Sequence, residues 1–264
     1  MLQSSGAWSF NKTRAELCCG SLVGQVDVSQ PESGLNRLSI SASRLSGHIL
    51  AIRPANDVAP DVKQVDRLTR DESRLNVADS YVRGCDLVAT YEPRNDWPYT
   101  TQIYWSAPVP ETTDQLPGSL SLVVSLQTHL LDTWPSLSID SLLETDEAFF
   151  LTDDAGAHSD VRSIGRGQHA LRPTGKACCV LQRLVGVPVS YAEIMPASDF
   201  RELTVRYISD GACQTSWNLF ADFLEKGVIR RARVQSVFVP RKDDIAIAEA
   251  LCRSIDRQRL PLTT

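Results

Sequence analysis

Apolar residues recur at every second position through much of this chain. The clearest run is residues 118–134, "GSLSLVVSLQTHLLDTW". Leu120, Leu122, Val124, Leu126, Thr128 and Leu130 fall on one side, and Ser119, Ser121, Val123, Ser125, Gln127 and His129 on the other. A period of two is that of a strand with one face packed and the other polar. "LCCGSLVGQVDVS" and "GLNRLSIS" are further β-prone runs, joined by Gln30, Pro31, Glu32, Ser33 and Gly34 as a hairpin with a short loop. "GHILAIRP" follows, then a charged connection over residues 55–80, then "YVRGCDLVATYEP" and "YTTQIYWSAP" with turn residues Asn95, Asp96 and Pro98 between them. "SLSIDSLL", "EAFFLTDD", "ACCVLQRLVGVPVSYAEIM", "FRELTVRYISD", "SWNLFADFLEKG" and "VIRRARVQSVFVPR" continue the strand pattern. Residues 153–176, rich in Gly, Asp, Ser and His, read as a loop region.

The period changes only at the end. Asp243 or Asp244 can cap a helix carrying Ile245, Ala248, Leu251, Cys252 and Ile255 on one face, with "RQRLPLTT" as a tail. Many strands without strand–helix alternation argue against a parallel α/β sheet. The predicted fold class is all-β: a many-stranded antiparallel β-sandwich with a C-terminal amphipathic helix. Residues 1–264 suit a single large domain, with two β-halves at about 1–152 and 177–264 as the other division of the chain.

Composition narrows the partners. A net charge of -5 supplies no cationic surface, so neither nucleic acid nor an anionic membrane is the expected partner. No apolar run is long enough to span a bilayer. Asn11, Lys12, Arg14 and Glu16 interrupt any apolar stretch near the start, so no signal peptide is read and a cytoplasmic location is expected. Seven cysteines, an odd number, lack zinc-ligand spacing and read as small buried hydrophobes; each Cys-Cys pair should place one thiol inward and one outward. "DDAGAHSD" matches no metal loop, and "SIGRGQHALRPTGK" is not a phosphate-binding loop. No cofactor or metal is therefore expected. No GxSxG, HExxH or comparable motif names a reaction.

Two features carry chemistry. Residues 87–107, "LVATYEPRNDWPYTTQIYWSA", concentrate Tyr91, Trp97, Tyr99, Tyr104 and Trp105. Such rings are either core or a platform for a sugar, and Tyr104 and Trp105 must face opposite sides of a strand. Trp97, in a turn, is the ring expected to be exposed. With Tyr99 and the polar groups of Arg83, Asp86, Arg94, Asp96 and Gln127 it makes up a candidate ligand site. Arg231 and Arg233 share a strand face and could contact an anion or a partner.

The order of these features, from the early hairpin through "DSYVRGCDLVATYEP" and "SLSLVVSLQTHLLDTW" to "FLEKGVIRRARVQSVFVP", resembles the galactose-mutarotase-like supersandwich of sugar-binding and sugar-isomerising β-proteins. The resemblance implies a carbohydrate ligand. The family's epimerases use a histidine pair and a carboxylate base, a role that His129 with Glu193 or Glu225 would take here. The expectation is a carbohydrate-binding protein; the alternatives are an aldose epimerase and a non-catalytic interaction module.

Overall fold

The computed structural model describes residues 7–54, 75–107, 116–153, 159–208 and 211–255. Most of the charged connection over 55–80, His158 and the tail from residue 256 lie outside the described residues. All strand pairings are antiparallel.

A five-stranded sheet opens the chain, in the order β1 (Trp8–Asn11), β2 (Arg14–Cys19), β3 (Leu22–Asp27), β4 (Asn36–Ile40) and β5 (Ser43–Arg44). The run expected to be one strand, "LCCGSLVGQVDVS", turns back on itself at Gly20, whose φ of 61° suits glycine. Next come β6 (Gly47–Pro54), β7 (Asn76–Arg83), β8 (Asp86–Glu92), β9 (Tyr99–Ser106) and β10 (Gly118–Thr128). Here too "YVRGCDLVATYEP" is a hairpin, broken at Gly84 with φ 60°.

After the short β11 (Asp132–Thr133), the two segments "SLSIDSLL" and "EAFFLTDD" form one long strand, β12 (Ser136–Asp153). Its first half pairs with β6 and β18 (Ala212–Phe220), and its second half with β13 (Ser159–Ile164) and β15 (Cys178–Leu184), with an irregularity between Thr145 and Glu147. Both β13 and β14 (Gln168–Leu171) lie in the region read as loop. Among the described residues each pairs on one side only, β13 with β12 and β14 with β17 (Glu202–Tyr207), so neither needs the apolar alternation of a central strand. With β16 (Val189–Met195) and β20 (Ile229–Pro240) the main sheet has thirteen strands, in the order β14-β17-β18-β12-β15-β16-β20-β10-β9-β8-β7, with β6 and β13 on β12. A two-stranded ribbon joins β11 to β19 (Leu224–Glu225).

The core lies on one face of this sheet and runs from Trp8 to Phe238. On β10, Leu120, Leu122, Val124 and Leu126 have no exposed surface, as their alternation predicts. Each such side chain contributes about 1.5–3 kcal/mol of burial. The other face of β15, β16 and β20 is covered by helix α1 (Asp244–Ile255). Ala248, Cys252 and Ile255 pack on Cys179, Leu181, Ala192, Ile194, Val237 and Val239. Arg183 reaches from β15 to hold Asp244 at 2.9 and 3.1 Å, and the Ser190 hydroxyl donates to the same carboxylate at 2.7 Å. The helix cover corrects one cysteine expectation. Cys18 is exposed and Cys19 buried, but Cys178 and Cys179 are both buried, because the sheet is packed on both sides there. No helix among the described residues is long and apolar enough to cross a membrane.

Candidate functional site

The helix leaves the other end of that outer face open. Alternation on β9 sends Tyr99, Thr101, Ile103 and Trp105 into the core and Thr100, Gln102 and Tyr104 outward. Register then builds rungs across four strands. One rung is Thr90, Gln102, Ser125 and Arg231; the next is Thr100, Gln127 and Ile229. An apolar rung, Val88, Tyr104 and Val123, closes one end. Tyr81 and Arg83 of β7 complete a groove of about 290 Å³.

The floor of the groove is ordered by its own hydrogen bonds. The Tyr104 hydroxyl donates to Gln102 Oε1, and Gln102 Nε2 donates to Thr90 Oγ1 at 3.2 Å. The Gln102 amide is therefore oriented before any ligand arrives. Two guanidiniums, two amides, several hydroxyls and the half-exposed Tyr81 ring can hydrogen-bond and pack against a polyhydroxylated molecule. No carboxylate and no imidazole is among the described residues that line it.

A second polar cluster lies on the opposite face of the sheet. Glu193 on β16 is 1% exposed. It accepts from the Tyr191 hydroxyl at 2.7 Å, from Trp217 Nε1 at 2.7 Å and from the Ser141 hydroxyl; Ser236 in turn donates to the Tyr191 oxygen at 2.8 Å. Burial raises the Glu193 carboxyl above its ordinary value and outweighs those three donors, which pull it down. The cluster has the residue types of a catalytic site, yet every member is enclosed between the sheet layers.

The residues singled out from the sequence divide accordingly. Arg83 and Gln127 line the groove, and Asp86 sits half-buried on the same face, opposite Arg83, without lining it. Trp97 and Tyr99 are buried. They are 4% and 5% exposed, their rings meet edge-on at 4.7 Å, and Trp97 Nε1 donates to Thr101 Oγ1 at 2.8 Å. The turn holding Trp97 folds inward, so the exposed ring expected there is a core residue. Tyr104 and Trp105 do face opposite sides, with Tyr104 toward the groove and Trp105 in the core. His129 is exposed in the bend after β10. It lies beyond Gln127, which pairs with Ile229, whereas Glu193 pairs with Ser236; the seven-residue offset along β20 is roughly 24 Å, so the two do not meet. Arg231 and Arg233 share a face as expected, but only Arg231 lines the groove, while Arg233 donates to the Ile255 carbonyl at the end of α1 (3.1 Å). Tyr81, Gln102 and the groove role of Tyr104 were missed. The alternation of β9 held that signal, and it becomes specific only once the outer face is known to be open.

No family's sequence model and no curated protein sequence matches the chain. Solved structures do match in shape. A GalM/aldose epimerase homologue from C. elegans superposes with a TM-score of 0.52 at 9% identity, covering 84% of this chain and 96% of that one. Candidate aldose 1-epimerases from Klebsiella pneumoniae subsp. pneumoniae (TM-score 0.54, 10% identity, 95% and 87% covered) and Escherichia coli K12 (0.53, 9%, 85% and 98%) are similar. At these identities the likeness is one of fold: the chain has the galactose-mutarotase-like supersandwich architecture.

Proposed function

We propose that the protein binds a carbohydrate, or a closely similar polyhydroxylated ligand, in the groove on β7–β10 and β20. The observation that carries this reading is the groove itself: Arg83, Gln102, Gln127 and Arg231 converge on a concave, open patch of a sheet whose fold neighbours are named as aldose epimerases. Arg83 and Arg231 provide donors for hydroxyls and equally for a carboxylate or phosphate on the sugar. An epimerase needs an acid and a base beside the anomeric centre. The groove lining offers neither a carboxylate nor an imidazole among the described residues, so binding is the reading that the geometry favours.

The test is a thermal-shift and calorimetric screen of aldoses, sugar acids and sugar phosphates. A ligand that binds only the folded state stabilises it by about 2.7 kcal/mol at one hundred times its Kd. The expected result is a shift with at least one class, lost in Arg83→Ala and Gln127→Ala, with no acceleration of anomer exchange by NMR. Absence of any shift at saturating ligand overturns the binding reading, and accelerated exchange replaces it with an enzyme.

A further inference from the structure

We infer that the ligand is a chain of at least two sugar units, with the unit next to the groove resting on Trp134 and Phe223; this rests on the carbohydrate reading above. Eleven large hydrophobic residues are exposed among those described, and six of them fall in two short segments: Leu130, Leu131, Trp134, Phe223, Val228 and Ile229. The other four tryptophans are 0–4% exposed, whereas Trp134 is 61% exposed and Phe223 42%. Their ring centroids are 5.5 Å apart with a tilt of 56°.

The rings stand on a braced ribbon. Pairing of β11 with β19 sets Asp132 opposite Glu225 and Thr133 opposite Leu224. Thr133 and Leu224 point inward, and the Thr133 hydroxyl donates to the Leu224 carbonyl at 3.0 Å. By alternation Trp134, Phe223, Asp132 and Glu225 share the outward face. The turn after Glu225 is closed by Val228 N–H donating to the Glu225 carbonyl (3.1 Å), and Gly227 N–H ties it to the Thr128 carbonyl at the end of β10 (3.0 Å). It folds the chain back so that Asp222 meets Arg230 at 3.5 Å. Phe223 stands two residues before Glu225, on the segment that leads through this turn into β20. Ile229 belongs both to the groove lining and to this apolar segment, and Thr128, which holds the turn, directly follows groove-lining Gln127 on β10.

An aromatic face flanked by carboxylates matches a sugar unit, whose C–H face stacks on the ring while its hydroxyls donate outward. A second copy of the chain docked on the ribbon would instead have to desolvate Asp132 and Glu225.

The experiment is titration calorimetry of the full chain with glucose, galactose and galacturonic acid, and with the di-, tri- and tetrasaccharides of each. The expected result is tighter binding of the disaccharide or longer in at least one series, and a loss of about tenfold in that gain in Trp134→Ala and Phe223→Ala. Monomer affinity and melting temperature should stay unchanged in both variants. Monomers that bind as tightly as their oligomers, with Trp134→Ala neutral, overturn the chain inference and leave the groove reading standing. If no saccharide binds and Arg83→Ala changes nothing, the groove reading has failed and takes this one with it. Conversion of a dimer to a monomer by Trp134→Ala, with saccharide affinity unchanged, would assign the rings to a subunit contact and overturn the proposal.

Discussion

The main sheet carries two polar clusters, one on each face, and they differ in opposite respects. The inner cluster around Glu193 holds a carboxylate, a phenol, an indole N–H and two serines, bound to one another and closed to solvent. The outer groove holds arginines, amides and hydroxyls around open space, with no carboxylate or imidazole among the described residues of its lining. Residue type alone points to the first as a site, and access points to the second. A buried carboxylate that satisfies three donors orders the core where layers meet, whereas a ligand site must keep donors that are oriented but still reachable.

The largest test of this contrast is Glu193→Ala. It leaves the Trp217, Tyr191 and Ser141 donors without their acceptor in a dry core and opens a void, for an expected cost of about 3–5 kcal/mol in urea unfolding. Ligand affinity of the folded fraction should not change. A stable variant with lost binding would move the site to the inner face and break the comparison.

A smaller effect comes from pH, where two buried carboxylates should act with opposite sign. Burial lifts Glu193 above its ordinary value near 4.5, and no cation offsets it among the groups that shift it, so native protein holds this proton more tightly than unfolded chain. Its contribution is fully present below the unfolded value and is lost as pH rises through the raised native one. Burial also lifts Asp244, but hydrogen bonds from Arg183 and Ser190 outweigh it and hold the carboxyl below 3.8. That contribution is present above the unfolded value and is lost as pH falls through the native one. Denaturant midpoints followed from acid to neutral pH should therefore flatten at the low end in Asp244→Asn and at the upper end in Glu193→Gln. The same profile change in both variants would contradict this assignment.

The smallest change expected is Tyr104→Phe. It removes the donor that orients Gln102, and should cost about 0.5–1.5 kcal/mol of stability while weakening ligand binding several-fold by releasing the amide. Unaltered affinity would mean that Gln102 is not held ready for a ligand.

Much of the fold was legible along the chain. The alternation of β10 placed Leu120 to Leu126 inward and Ser125 and Gln127 outward, and the change of period after Asp243 located helix α1. Other features were hidden for local reasons. Single glycines at 20 and 84 turned two apparent strands into hairpins, and the polar edge strands β13 and β14 looked like loop. The site was half legible. Arg83 and Gln127 share the groove, but Trp97 and Tyr99 turned inward, and Trp134, which reads as a strand boundary beside Pro135, carries the exposed ring.

By itself the sequence determined which residues share a strand face, because successive side chains must point to opposite sides. It could not determine what covers each face. On β20 one parity runs Ile229, Arg231, Arg233, Gln235, Val237, Val239. Tertiary structure lays α1 on the valine end, brings Arg233 to the helix terminus and leaves Arg231 and Ile229 at an open groove. Cover comes from segments distant in sequence, and local alternation carries no record of where they pack.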